Sequence, residues 1–142
     1  MEFLKLALTF WVWYIVILIW DAIFLGRVVH QYIIDTFGDL ITSQNGSIDM
    51  KLWVGLAAWF VITAMVFVFV VKSGLVTSYQ TALGYWALMG FLMYAMYDLT
   101  NLTFLKNYPV NFVVIDIMWG TFLCAMMALA MFSFEKWINK IL

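Results

Sequence analysis

The stretch from Tyr94 to Thr121 reads YAMYDLTNLTFLKNYPVNFVVIDIMWGT. Pro109, the only proline of the protein, stands there with Lys106, Asn107 and Tyr108 between two apolar runs. The chain is therefore expected to turn at these residues. Asp98 lies nine residues before Asn107 and Asp116 nine after it. Two antiparallel helices leaving that turn would carry both carboxylates at matching depth, roughly 10–14 Å in at about 1.5 Å per residue.

Composition places this hairpin in a membrane. The 142 residues are 67% hydrophobic and 11% charged, with a mean hydropathy of +1.02, outside the range of soluble domains. Four apolar runs of about 20 residues, each long enough to span, leave little chain for a soluble domain. The expected fold is all-α: a polytopic membrane protein forming one transmembrane domain over 1–142. Its helices are expected at about 3–25, 51–72, 80–104 and 110–134, with an interfacial amphipathic segment at about 27–41. A net charge of −1 argues against a nucleic-acid partner. One cysteine, Cys124, and one histidine exclude an internal disulfide and multi-Cys or multi-His metal sites.

The first run is too long for a signal-peptide core and lacks a small-residue cleavage pattern, so it reads as a retained helix. Trp11, Trp13 and Tyr14 fall mid-run, where some should pack against neighbouring helices. Asp21 lies about a turn before Gly26 and Arg27; it either pairs with Arg27 at the interface or joins a polar site. In RVVHQYIIDTFGDLI, Val29, Ile33, Phe37, Leu40 and Ile41 share one helical face and Gln31, Asp35 and Asp39 the other. Such a segment lies in the interface rather than across it. His30 falls on the apolar face, either bonded to a helix end or lowered toward the intramembrane acids.

TSQNGSID (residues 42–49) is the clear loop, with Asn45-Gly46 as its turn. Asn45-Gly46-Ser47 and Asn101-Leu102-Thr103 match the glycosylation pattern, the second inside an apolar run where it has no meaning. The second helix is featureless, a packing and lipid-facing element. In the third, Trp86, Gly90, Tyr94, Asp98 and Asn101 form one stripe; in the fourth, Asp116, Gly120 and Cys124 do. Small residues in such stripes let membrane helices approach closely. Lys5, Lys72, Lys136 and Lys140 fall on one side, and Arg27, Lys51 and Lys106 on the other. This thin bias favours cytoplasmic termini.

With four spans, the end of the first helix, the end of the third and the start of the fourth share a membrane face. Asp21, Asp98 and Asp116 can then occupy one layer, joined by Asn101, Asn111, Tyr94 and Lys106, with Arg27 and His30 over the same end. A carboxylate in hydrocarbon is costly unless protonated, paired or hydrated. One reading is a carboxylate-lined site that binds or transports a proton, a cation or a small polar ligand. Its oxygens would suit Na⁺, Mg²⁺ or Ca²⁺ better than softer metals. A second is an intramembrane lipid-modifying enzyme using Asp98 and Asp116 as an acid/base pair or metal ligands. A third is a structural subunit, the acids forming a buried ion-pair network that holds helices together. The sequence names no substrate or cofactor. A mid-helix lysine for retinal, a phosphate loop and a His pair for haem are all missing. At this length a transporter acting alone would be small, so a homo-oligomer or larger membrane complex is expected beside the lipid bilayer itself.

The residues Tyr97-Asp98-Leu99-Thr100-Asn101, Leu105-Lys106, Pro109, Asp116, Trp119, Gly120 and Thr121 resemble the pattern of a family of small membrane proteins, domain of unknown function two-one-seven-seven. Asp21 followed by Phe24-Leu25-Gly26 resembles an earlier element of it. Members often carry Trp where this chain has Phe24 and Tyr108, so an aromatic ring is kept at both positions. The resemblance extends over nearly the whole chain. It implies four transmembrane helices in one domain, and no assigned activity.

Overall fold

The computed structural model describes residues 2–41 and 51–141, the side chain of Asp39 excepted. The Asn45-Gly46 turn, its glycosylation pattern and the outward-facing Asp39 side chain expected above lie outside the described portions. Five α-helices and no strands form among the described residues: α1 (Glu2–Ile23), α2 (His30–Phe37), α3 (Leu52–Phe67), α4 (Tyr79–Phe104) and α5 (Val110–Ile141). π-Helical turns at Phe24–Val28 and Val68–Lys72 extend α1 and α3. Among the described residues, three helices are long and apolar enough to cross a membrane: Glu2–Val28, Leu52–Lys72 and Val110–Ile141. α4, with four tyrosines as well as Thr, Gln and Asn, is less apolar, although its 26 residues would reach about 39 Å.

The chain divides into two compact units, Met1–Thr9 with Met65–Leu142, and Phe10–Ala64. In the first, α4 and α5 pack along their length as a hairpin. α4 begins with a reciprocal cap: Ser78 Oγ accepts from the Thr81 amide at 3.2 Å and Thr81 Oγ1 accepts from the Ser78 amide at 2.9 Å. Two otherwise orphaned donors are thereby satisfied. α4 ends at Leu105, in extended conformation, and the Tyr108 amide donates to Leu105 O at 3.3 Å. Asn107 sits at φ +63°, a left-handed conformation that Asn tolerates, and Pro109 precedes α5. The turn therefore falls at the residue from which Asp98 and Asp116 are equidistant.

The hairpin interface uses the expected stripes. Ala82, Trp86, Gly90 and Asp98 are buried on α4, and Val113, Gly120, Cys124, Met127 and Met131 on α5. A methyl on Gly90 would come within 2.6 Å of Gly120 O and 2.8 Å of Cys124 Cβ, and one on Gly120 would enter the Tyr94 ring. The missing side chains are what let the two backbones meet.

In the second unit, Phe10 and Tyr14 of α1 pack edge-on against Phe60 of α3, at 5.2 and 5.8 Å between centroids. The Tyr14 hydroxyl donates to Leu56 O at 3.0 Å. Mid-run aromatics thus join α1 to α3. α2 is shorter than the 27–41 expected, because Arg27 belongs to the π turn that prolongs α1 and Val29 (φ −111°, ψ 3°) breaks the helix. Gly38, at φ +49°, ends α2 in a conformation that glycine adopts without strain. Gln31 and Asp35 are exposed and bond to each other at 2.8 Å, Ile33 and Phe37 are half-buried, and Leu40 is exposed.

Candidate functional site

The hairpin gathers one polar cluster. Asp98, on the buried stripe of α4, is 0% exposed. Its Oδ1 accepts a hydrogen bond from the Tyr108 hydroxyl at 2.9 Å. Tyr108 reaches back across the turn, its ring packed edge-on against Phe112 at 6.0 Å, and the Asn101 side chain bonds to the same phenol. Burial first, and then the bond to Asp98, push the Tyr108 phenol well above its ordinary value, with Asn101 acting in the opposite sense. The phenol therefore stays protonated and acts as a donor.

From α5, the half-buried Asp116 side chain comes within hydrogen-bonding reach of Asp98. Asp98 Oδ2, buried as well, finds no donor among the described residues. An ionised carboxylate only accepts. The Asp98–Asp116 contact is therefore a hydrogen bond only when one of the two carries a proton. Two adjacent buried charges of the same sign would be strongly disfavoured.

The other sequence candidates are placed as follows. Tyr94 lies across Gly120 and builds the close approach rather than the carboxyl contact. Lys106 is exposed beside the turn and pairs with neither acid. Thr100, Thr103 and Thr121 donate to carbonyls of their own helices at 2.6–2.8 Å. Asp21 belongs to the other unit, where it is buried and accepts from the Trp59 indole of α3. Arg27 is exposed in the π turn, and His30 is half-buried at the first position of α2. Among the described residues, no three His, Cys, Asp or Glu side chains gather as a metal site would require.

Sequence reasoning missed two partners. Tyr108 read only as a turn residue, and Trp59 lay in a helix that carries no charge. The one signal for Trp59 was general: an indole N–H taken from water needs an acceptor. Nothing in the spacing singled out Tyr108, because its bond depends on the direction the chain takes through the turn.

Neither a curated protein nor a solved structure matches the chain. Residues 6–133 match the model of a family described as "Predicted membrane protein (DUF2177)". That match takes in the turn, all of α4 and most of α5, and the chain belongs to this family of membrane proteins.

Proposed function

We propose that this membrane protein binds and releases a proton at the Asp98–Asp116 pair, with Tyr108 and Asn101 orienting the acceptor. One observation carries the reading: a fully buried carboxyl that has a second acid within hydrogen-bonding reach and one oxygen without a donor. A hard cation fits the pair less well. Ca²⁺ takes six to eight oxygens and Mg²⁺ a near-ideal octahedron, whereas the cluster offers two carboxyl groups, one phenol and one amide. The less apolar α4 then serves as a fourth span, with its one charged residue, Asp98, buried. α2 lies in the membrane interface, and both termini are cytoplasmic. The protein works as a homo-oligomer or within a larger membrane complex, because one hairpin offers a proton a site and not a path.

Infrared spectroscopy of the reconstituted protein tests the site. A protonated-carboxyl band is expected near neutral pH, lost in both Asp98→Asn and Asp116→Asn. In liposomes loaded with a pH-sensitive dye, wild type should pass protons under an imposed potential faster than either variant. A spectrum with no protonated carboxyl at neutral pH would defeat the proposal.

A further inference from the structure

Within the Phe10–Ala64 unit, α1, α2 and α3 enclose a cavity of about 590 Å³. Its wall is apolar, built from residues such as Leu18, Ala22, Ile33 and Leu56, and carries two side chains with polar atoms, His30 and Trp59. The Trp59 N–H is already given to Asp21, so His30 holds the polar atoms left for a ligand. The lining residue Gly26 is followed in the chain by Arg27, and the lining residue Leu52, at the start of α3, is preceded by Lys51. Both cations are exposed, and neither forms an ion pair among the described residues. The carboxylates of this unit that the structure describes are engaged elsewhere, Asp21 with Trp59 and Asp35 with Gln31.

We propose that this cavity binds one anionic phospholipid, with an acyl chain along the apolar wall and the phosphate at Arg27, Lys51 and His30. The volume lies in the range of small-molecule sites. At about 30 Å³ for a group the size of a water it holds roughly twenty methylenes, the size class of one membrane acyl chain. An apolar pocket with a cation next in the chain to two of its lining residues matches a lipid in both parts, since juxtamembrane basic residues attract anionic head groups. The polar stretch between α2 and α3, residues 42–49, suits such a wall poorly. The site shares no residue with the Asp98–Asp116 pair, so either proposal can fail alone.

Native mass spectrometry of the delipidated full chain tests it, with palmitoyl-oleoyl phosphatidylglycerol and the phosphatidylcholine of the same chains as probes. Wild type should retain one phosphatidylglycerol per chain. The double variant Arg27→Gln with Lys51→Gln should lose about thirtyfold in retention, which is what two juxtamembrane cations contribute. Ala22→Phe, which fills the cavity and leaves the charges in place, should lose both lipids. The charge variant alters exposed side chains only, so it decides the matter even where Ala22→Phe does not fold. Equal retention of the two lipids by wild type, undiminished phosphatidylglycerol in the charge variant, or no lipid retained by wild type would each overturn the proposal.

Discussion

Replacing Asp98 by Asn separates a shared proton from a structural ion pair. In wild type the Asp98 carboxyl accepts from Tyr108 through Oδ1, has no donor at Oδ2, and lies within hydrogen-bonding reach of Asp116. With a shared proton, the folded state near neutral pH holds one proton that an unfolded chain, with ordinary aspartates near pH 3.9, has released. More protons bound in the folded state means that stability falls as pH rises. One proton corresponds to about 1.4 kcal/mol per pH unit, so wild type should lose about 2.7 kcal/mol between pH 5 and pH 7 while the pair keeps its proton. The Asp98→Asn variant removes the requirement. The carbonyl of the new amide still accepts from Tyr108, and its N–H donates to the Asp116 carboxylate without any proton from solvent. The variant should match wild type within about 1 kcal/mol at pH 5 and overtake it as pH rises.

The assay is thermal unfolding in detergent across pH 5 to 9, for wild type, Asp98→Asn and Asp116→Asn. The informative quantity is the difference in slope, because other titrating groups are common to all three proteins. Parallel pH profiles would refute the shared proton. Destabilisation of both variants by about 3–5 kcal/mol at every pH would show instead that each acid balances a buried positive charge, which the exposed Lys106 does not supply.

Tyr108→Phe takes from Asp98 the hydroxyl that bonds it and should cost about 1–3 kcal/mol by the same unfolding assay; Tyr108→Trp, with an indole N–H at that position, should recover part of it. Because the Tyr108 phenol is raised from 10.0, its contribution is complete below about pH 10 and declines above it, so the Phe variant should show a shallower alkaline loss than wild type. Gly120→Ala drives a methyl into the Tyr94 ring and should cost about 1–3 kcal/mol, much of it relieved when combined with Tyr94→Ala; additive losses in that double-mutant cycle would contradict the contact.

The hairpin was legible because its determinants are local and periodic. A proline close to Asn107 marks the turn, and a constant rise per residue converts equal offsets into equal depth. A repeat near 3.6 puts Trp86, Gly90 and Asp98 on one face, and all three are buried there. Features that depend on side-chain direction were not legible. Lys106 counted as a cation close enough to balance an acid, but formal charge does not say where a four-carbon stem points, and the residue is exposed. Tyr108 bonds Asp98 ten residues away because Asn107, at positive φ, turns the chain back, a conformation that no composition reveals. α2 failed at its boundary for a similar reason: the apolar periodicity runs on through Arg27, while the backbone changes first to a π turn and then breaks at Val29. The consequence for the acids is chemical. Without Lys106 as counter-ion, the Asp98–Asp116 pair has no compensating cation among the described residues of the cluster, and a bound proton, which lowers its charge from −2 to −1, relieves the repulsion between the two acids. The residue that the sequence placed in the site and the structure places in solvent thus moves the balance from a salt-bridged scaffold toward a protonatable pair.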